Sequence, residues 1–364
     1  MTSRRTLLKG TLLGGAAALL PTAASAAGGG PVLRLPAPSG PHPVGMRTVH
    51  LTDPDRSDPW VGGAREVMLT VLYPARSVRG LARVAQLTRA EAEVFAGLAP
   101  RIHPGLPEPG TVDWGAVLTH GYRGAPPLPG RRPVLVYSPG GGDSRTLGTT
   151  LAEDLASHGR VVVLVDHPGD ASQVELPTGM RTTALTGPPD PATFATMVDT
   201  RIADLRLVLD RLGTLPLAPV MDACRIGLYG HSAGGTAVVG TAQVDRRVGA
   251  VANLEGYLDL APRPVGFDRP LLLLRTDGFE GAARLDSSWA GVPSRRAMFT
   301  DANHWAFTDY GSLVPRLQAA GLVTAATRAA LVGTGDPVVT LAEVRRRVGT
   351  FFARSLATTR VTSP

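Results

Sequence analysis

The stretch Arg225-Ile-Gly-Leu-Tyr-Gly-His-Ser-Ala-Gly-Gly-Thr-Ala-Val-Val-Gly-Thr-Ala242 decides the fold. Its first five residues are typical of a short buried strand, and residues 235–242 are typical of a helix built from small residues. Between them, Gly230-His-Ser-Ala-Gly234 has the GxSxG pattern, which places a serine on a sharp turn from strand to helix. We predict that this turn is a nucleophile elbow with Ser232 as the nucleophile. The alternative is that the two glycines only pack a strand-to-helix turn.

Strands and helices alternate on both sides of this turn. Helical spacing is present over residues 145–158, and apolar residues recur at helical spacing from Met197 through Arg201 to Leu212. Short apolar runs predict strands at residues 46–51, 66–73, 133–137, 161–165, 226–229, 248–254, 270–274 and 297–300. This order predicts an α/β-hydrolase fold, with a mostly parallel central sheet and helices on both faces.

The composition and the order of the predicted elements also indicate the domain organisation. Residues 1–26 form a signal peptide, residues 27–45 an extended leader rich in Gly and Pro, and residues 46–358 a single α/β-hydrolase domain. A proline-rich segment at about residues 80–130 fits the alternation poorly and is interpreted as an insertion. The insertion either borders a substrate cleft or is a surface excursion without a role.

The N-terminus has the features of an export signal. Arg4 and Arg5 precede an apolar stretch over residues 11–20, and Ala24-Ser-Ala26 is a typical cleavage site. The paired arginines indicate the twin-arginine export machinery, so we expect a secreted, periplasmic or cell-envelope protein. The alternative is an uncleaved anchor, although the apolar run is about half of what a bilayer requires.

Composition excludes several other classes of protein. The formal net charge is +7, but the arginines are spread along the chain, which argues against a nucleic-acid partner. Cys224 is the single cysteine, and no histidine cluster has metal-ligand spacing. We therefore expect no metal and no cofactor.

A serine nucleophile needs a base, and that base needs an acid partner. On this fold the chain order is serine, acid, histidine. His304 is the only histidine after His231, and it follows the last predicted strand. His231 is held beside the serine and is a less suitable base. We predict that His304 is the base; the alternative is a loop histidine that is bonded to solvent.

Two carboxylates are candidates for the acid. Glu255 follows the predicted strand at 248–254, and Asp277 follows the strand at 270–274; both precede a glycine that permits a tight turn. Most α/β-hydrolases place their acid at the position of Asp277. However, an aspartate before glycine is also commonly a turn carboxylate that caps backbone N–H groups. On the residues alone, both remain candidates.

An oxyanion needs two preorganised N–H donors. One is expected from Ala233, the residue after the nucleophile, and the other from Gly141 in the loop Ser138-Pro-Gly-Gly-Gly142. The same loop could be interpreted as a phosphate cradle. It lacks the GxGxxG spacing and a P-loop lysine, so the oxyanion hole is the favoured interpretation.

Several motifs together resemble the platelet-activating-factor acetylhydrolase family, which comprises secreted and plasma-type lipid esterases, and related actinobacterial esterases and lipases. These motifs are Gly40-Pro-His-Pro-Val-Gly45, Leu72-Tyr-Pro74, the loop from Tyr137 to Gly142, Leu155-Ala-Ser-His-Gly159, the GxSxG pentapeptide and the segment around His304. The resemblance implies calcium-independent hydrolysis of short or oxidised acyl esters, including phospholipid-type esters. It also favours Glu255 as the acid, with Asp277 as the alternative, although relatives usually carry aspartate there. Pro139 stands where the family usually has histidine.

We therefore expect an exported serine esterase that forms an acyl-enzyme on Ser232. An acyltransferase would use the same residues and pass the acyl group to an alcohol instead of water. A catalytically inactive binding protein on the same scaffold is a third interpretation. It predicts that a triad member is missing, whereas every required side chain is present.

Overall fold

The computed structural model describes residues 33–259 and 267–357. Ten strands within these ranges form the central sheet, namely β1 (Val44–Ser57), β2 (Ala64–Pro74), β3 (Arg83–Ala85), β4 (Leu118–Arg123), β5 (Arg132–Ser138), β6 (Val161–Asp166), β9 (Met221–His231), β10 (Val248–Leu254), β11 (Leu271–Thr276) and β12 (Arg295–Phe299). A separate hairpin consists of β7 (Gln173–Leu176) and β8 (Gly179–Thr182). The helices are α1 (Arg89–Ile102), α2 (Thr149–Ser157), α3 (Pro191–Arg211), α4 (Ala233–Val244), α5 (Ala282–Trp289), α6 (Tyr310–Ala319), α7 (Ala325–Val332) and α8 (Pro337–Ser355).

The strand order across the sheet is β12-β11-β10-β9-β5-β6-β2-β1-β4-β3. The six strands from β12 to β6 run parallel, β2 is antiparallel to β6, and β1 is antiparallel to β2. This is the mostly parallel sheet that the sequence predicts. Because the strands β5, β9, β10 and β11 are parallel neighbours, their C-terminal ends meet at one edge, where ligands bind in open α/β sheets.

Successive residues of the inner strands pack into two different cores. In β5, Val134 and Val136 pack on the same side as α3 and α4, whereas Leu135 and Tyr137 pack on the opposite side with α2, α6 and α8. The period of two places alternate side chains on opposite faces of the sheet. Both faces are therefore covered by helices, as predicted, which explains the nearly continuous apolar runs of these strands.

The structure differs from the expected insertion at residues 80–130. This segment adds β3 and β4 to one edge of the sheet and contains α1. Phe95 and Trp114 are buried in the core, with ring centroids 5.0 Å apart. Prolines interrupt the apolar pattern of this segment, which is why its contribution to the core was not apparent. Likewise, β1 continues to Ser57, six residues beyond the end of the strand that was predicted at residues 46–51.

The described part of the predicted leader packs against the domain. Leu33 and Leu35 are buried, and both the N–H and the hydroxyl of Ser39 donate to Asp154 Oδ1 at 2.8 Å. The predicted signal peptide, residues 1–26, lies outside the described residues. No helix in the described ranges is long and apolar enough to cross a lipid bilayer.

Candidate active site

Ser232 lies on the turn between β9 and α4, as the sequence predicts. Its backbone has φ 52° and ψ −122°, and its N–H donates to the carbonyl of Leu254 at 2.9 Å. A non-glycine residue with positive φ is strained and persists only where the surroundings hold it. Ser232 is half-buried, whereas its neighbours His231 and Ala233 are buried. The turn thus presents the serine at the edge of the sheet where the parallel strands end.

Close packing explains the two glycines of the elbow. A Cβ atom on Gly230 would overlap the backbone of Gly234, and a Cβ atom on Gly234 would overlap the carbonyl oxygens of Ser138 and Pro139. The start of α4 therefore rests directly on the loop that follows β5. This contact brings the serine and the predicted oxyanion loop together.

Glu255 follows β10 and is also held in a strained conformation, with φ 63°. Its carboxylate is buried, and its Oε1 accepts hydrogen bonds from the backbone N–H of Thr276 and from the Thr276 hydroxyl, the latter at 2.9 Å. Its N–H donates to the carbonyl of Leu274 at 2.8 Å. These contacts with β11 fix the side chain and leave Oε2 directed toward His304.

His304 is the partner of Glu255. Its Nδ1 lies 2.8 Å from Glu255 Oε2, so Nδ1 carries the proton and donates to the carboxylate. In the neutral ring, Nε2 then has a free lone pair that can accept a proton. Burial lowers the pKa of His304 below its ordinary value of 6.5, His231 lowers it further, and Glu255 opposes the shift. The imidazole is therefore neutral at pH 7, as a general base must be.

His231 has a different role from His304. Its Nε2 lies 3.0 Å from the backbone carbonyl of His304, which can only accept, so this nitrogen is a donor. The two imidazole centroids are 4.5 Å apart. The Nδ1 of His231 lies 3.8 Å from Asp143 Oδ2. Because its donor is committed to the loop of His304, His231 supports that loop, in agreement with the view that it is the less suitable base.

Asp277, the alternative acid, binds the backbone of the turn before His304. Its two carboxylate oxygens accept hydrogen bonds from the N–H groups of Asp301 at 3.0 Å and Ala302 at 3.2 Å. Asp301 has φ 55°, so the carboxylate stabilises a strained turn. This is the capping role that is common for aspartate before glycine.

The two predicted oxyanion donors are neighbours. A Cβ atom placed on Gly141 would lie 3.6 Å from the Cβ of Ala233 and 3.2 Å from Cε of Met197. Ala233 is the first residue of α4, and N–H groups in the first turn of a helix have no intrahelical acceptor. The helix dipole also favours negative charge at this position. The geometry therefore suits an oxyanion beside Ser232.

A second arrangement of serine, histidine and aspartate includes Ser138, the first residue of the predicted oxyanion loop. Ser138 Oγ is 2.9 Å from His167 Nε2, and His167 Nδ1 is 2.9 Å from Asp204 Oδ2. All three residues are 0% exposed. The residues of this cluster were not among the predicted site residues. The same is true of Arg201, which contacts the same loop. Among the described residues, no group of three or more His, Cys, Asp or Glu side chains could hold a metal ion.

Aromatic side chains flank the base. The ring of Phe279 stacks on His304 with centroids 4.3 Å apart and an angle of 12° between the planes. Tyr257 lies 6.1 Å from Phe279, and both are half-buried. The guanidinium of Arg284 lies over the ring of Tyr257, 4.1 Å from its centroid. An apolar, partly accessible surface therefore adjoins the catalytic edge.

Comparisons with known proteins identify the family of the chain. A family model described as platelet-activating factor acetylhydrolase, isoform II, matches residues 31–176. The solved structure of a ferulic acid esterase from Streptomyces cinnamoneus is 33% identical, with a TM-score of 0.74, and the match covers 92% of this chain and 97% of that chain. The chain belongs to the platelet-activating-factor acetylhydrolase-like esterase family. The predicted resemblance and the α/β-hydrolase fold are confirmed.

A curated relative of this acetylhydrolase-like esterase is described as a probable 1-alkyl-2-acetylglycerophosphocholine esterase of Arthroderma benhamiae. It is 35% identical over 131 residues, which are 35% of this chain and 32% of the relative. The chain thus matches about a third of the length of that relative. Fold and family together identify the chain as a member of a class of enzymes that hydrolyse carboxylic ester bonds.

Proposed function

We propose that this acetylhydrolase-like esterase is an exported serine hydrolase that cleaves carboxylic esters through an acyl-enzyme on Ser232. The observation that carries the proposal is the buried pair of Glu255 and His304, with 2.8 Å between Oε2 and Nδ1, beside the strained elbow. The carboxylate orients the ring so that Nε2 is the available base. This is the arrangement that a serine nucleophile requires.

In the proposed mechanism, the Ser232 hydroxyl attacks the ester carbonyl carbon while Nε2 of His304 takes its proton. Glu255 stabilises the imidazolium, and the N–H groups of Gly141 and Ala233 stabilise the tetrahedral oxyanion. Collapse of this intermediate breaks the bond to the leaving alcohol, which receives the proton from His304. Water then attacks the acyl-enzyme with His304 as base, and this second half-reaction releases the carboxylic acid and restores the serine.

Two substrate classes follow from different observations. Similarity to the acetylhydrolase family supports short-chain acyl esters, including phospholipid-type esters. The half-buried surface of Phe279 and Tyr257 beside His304 supports esters of aromatic acids, as does the similarity to the ferulic acid esterase of Streptomyces cinnamoneus. Aromatic substrates would gain offset or edge contacts with these rings.

A hydrolysis profile separates the two classes. The substrates are p-nitrophenyl esters of increasing acyl length, a short-chain phospholipid and methyl ferulate, with Ser232→Ala as the control for background hydrolysis. A Phe279→Leu variant that loses kcat/KM only on methyl ferulate would assign the aromatic surface to substrate binding. Adding glycerol tests acyl transfer, because a transferase gives a glyceryl ester in place of the free acid. Absence of Ser232-dependent activity on every ester would refute the proposed function.

Export by the twin-arginine machinery is the second part of the proposal, supported by Arg4, Arg5 and the cleavage pattern at residues 24–26. Fusion of residues 1–40 to a reporter that is active only after export tests it. Export should be lost when both arginines are changed to lysine. Export that persists in this double variant would exclude the twin-arginine route.

A further inference from the structure

A buried arginine contacts the backbone of the oxyanion loop. Arg201 lies on α3 and is 0% exposed. Its Nη1 donates to the carbonyl of Pro139 at 2.5 Å, and its Nη2 donates to the carbonyl of Gly140 at 2.9 Å. Nη1 also lies 3.2 Å from Ser138 Oγ. One guanidinium thus holds two consecutive carbonyl groups of this loop.

The geometry of the peptide bond gives this contact a consequence for catalysis. In a trans peptide, the carbonyl of one residue and the N–H of the next residue lie in the same plane and point in opposite directions. The carbonyl of Gly140 and the N–H of Gly141 belong to the same peptide. Because Arg201 draws the Gly140 oxygen toward the buried side, the Gly141 N–H is turned to the opposite side. That N–H is the predicted oxyanion donor.

Asp170 completes the clamp on the loop. Its Oδ2 accepts from Nε of Arg201 at 2.5 Å, and its Oδ1 accepts from the N–H of Gly142 at 3.0 Å. The carbonyl before Gly141 and the N–H after it are therefore tied to one buried ion pair. Met197, one helical turn before Arg201 on the same face of α3, packs against Gly141. The helix α3 thus sets both the orientation and the position of this peptide.

We propose that Arg201 is the positioning residue of the oxyanion hole, which it preorganises by fixing the plane of the Gly140–Gly141 peptide. The inference rests on the proposed serine-hydrolase function. The planar fork of arginine matches this task, because it spans a carboxylate and two carbonyl groups at once. Lysine keeps the charge but offers a compact ammonium that cannot span the same acceptors.

The test compares Arg201→Lys with a matched control, Arg65→Lys. Arg65 is equally buried and binds Asp204 at 2.7 Å, Asp58 at 2.9 Å and the carbonyl of Pro168 at 2.6 Å. Arg65→Lys makes the same chemical change as Arg201→Lys, but Arg65 does not contact the oxyanion loop. Asp170→Asn is a second test variant, because it weakens the clamp while it keeps an acceptor for Gly142.

Three quantities are measured on the folded fraction of each full-length variant. For Arg201→Lys we expect kcat to fall by about 10- to 100-fold with little change in KM, because one oxyanion donor is worth about 10²–10³ in kcat when it is removed completely. The inhibition constant of a trifluoromethyl ketone, which forms a tetrahedral adduct, should rise in parallel. Amide hydrogen exchange over residues 140–142 should accelerate. Asp170→Asn should change all three in the same direction, and Arg65→Lys should change none of them.

Each possible outcome decides a different point. If Ser232-dependent activity is present but Arg201→Lys retains kcat, or loses no more than Arg65→Lys, the inference about Arg201 is wrong and the proposed function stands. Unchanged amide hydrogen exchange over residues 140–142 in Arg201→Lys would also refute it. If the wild-type protein has no Ser232-dependent activity, the proposed function fails, and the inference fails with it.

Discussion

Two arrangements of serine, histidine and acid lie near the loop that follows β5. In one, His304 Nδ1 is 2.8 Å from Glu255 Oε2, and the strained Ser232 is half-buried at the sheet edge. In the other, His167 joins Ser138 and Asp204 with two contacts of 2.9 Å each. In the second arrangement, both links of a triad, from serine to histidine and from histidine to acid, are hydrogen bonds.

The environments of the two arrangements differ. Ser138, His167 and Asp204 are 0% exposed, so no substrate reaches this serine. Asp204 also binds Arg65, which holds the pKa of the carboxylate well below its ordinary value, and burial lowers the pKa of His167 to about 4. Side chains in such a geometry can therefore also form a polar network in a core, in which every hydrogen-bonding group is satisfied. Access, backbone strain and free N–H donors distinguish the arrangement that we propose to be catalytic.

Replacement of Ser232, compared with replacement of Ser138, is expected to give the largest contrast in kcat. Ser232→Ala should lower kcat by a factor on the order of 10⁶, because loss of the nucleophile removes the acyl-enzyme route. The remaining rate should still exceed that in water if the oxyanion donors survive. Esterase kinetics at matched folded concentration, verified by circular dichroism, measure the effect. Wild-type kcat in folded Ser232→Ala would remove this residue from the mechanism.

Replacement of the acid is expected to have the next largest effect on kcat. Glu255→Gln should lower kcat by about 10⁴, the scale seen when a triad acid becomes an amide, because the amide no longer stabilises the imidazolium. Asp277→Asn should cost far less, since this carboxylate binds the backbone N–H groups of Asp301 and Ala302. Steady-state kinetics of both variants give the ranking. The reverse ranking, with both variants folded, would identify Asp277 as the acid.

Much of the proposed catalytic arrangement could be assembled from the sequence because it follows the order of the chain. The strand-turn-helix pattern indicated Ser232, and His304 was the single downstream histidine. Glu255 and Asp277 could not be separated by their local sequence, because both follow a strand and precede a glycine. The contact with Thr276, which comes from the next strand, is a tertiary feature that no local pattern contains.

The buried network was missed for a similar reason. Ser138, His167 and the α3 pair of Arg201 and Asp204 come from three separate segments of the chain, and only Ser138 lies in a motif, where its side chain had no predicted role. One signal was available: Arg201 occupies the apolar face of a predicted helix, four residues after Met197 and four before Leu205. A charge at such a position must find buried partners, so it marks a polar network within the core.

The pH dependence of kcat/KM tests the environment of His304. Burial and His231 lower the pKa of this base, so it stays neutral at pH 7 and activity should fall only below about pH 6.5. The sign follows because protonation removes the lone pair of the base. Glu255 raises this pKa, so Glu255→Gln should move the acidic limb to lower pH. A limb centred above pH 7 in the wild-type protein would contradict the assignment.

Ser138→Ala tests the buried arrangement with a smaller effect. The change leaves His167 Nε2 and one Arg201 donor without the serine hydroxyl, so it should lower the free energy of unfolding by about 1–3 kcal/mol. It should retain most of kcat, because no substrate reaches Ser138. Urea unfolding and esterase kinetics on the same sample provide both values. A loss of kcat comparable with that of Ser232→Ala would contradict the distinction between the two sites.

The smallest expected effect is that of a chelator. Incubation with EDTA should leave kcat unchanged, because the proposed mechanism uses His304 and backbone N–H donors where a metal hydrolase uses a Lewis acid. Activity before and after dialysis against EDTA is the measurement. Loss of activity that added calcium or zinc restores would refute this prediction.

Mapping the site of covalent labelling tests the central claim most directly. A fluorophosphonate reacts with an activated serine, and tryptic digestion then separates the two arrangements compared above. Ser232 is the only serine in residues 226–246, whereas Ser138 lies in the peptide that ends at Arg145. We predict a single adduct on residues 226–246, absent in Ser232→Ala. An adduct on the Ser138 peptide, or unchanged labelling of Ser232→Ala, would contradict the assignment of Ser232 as the nucleophile.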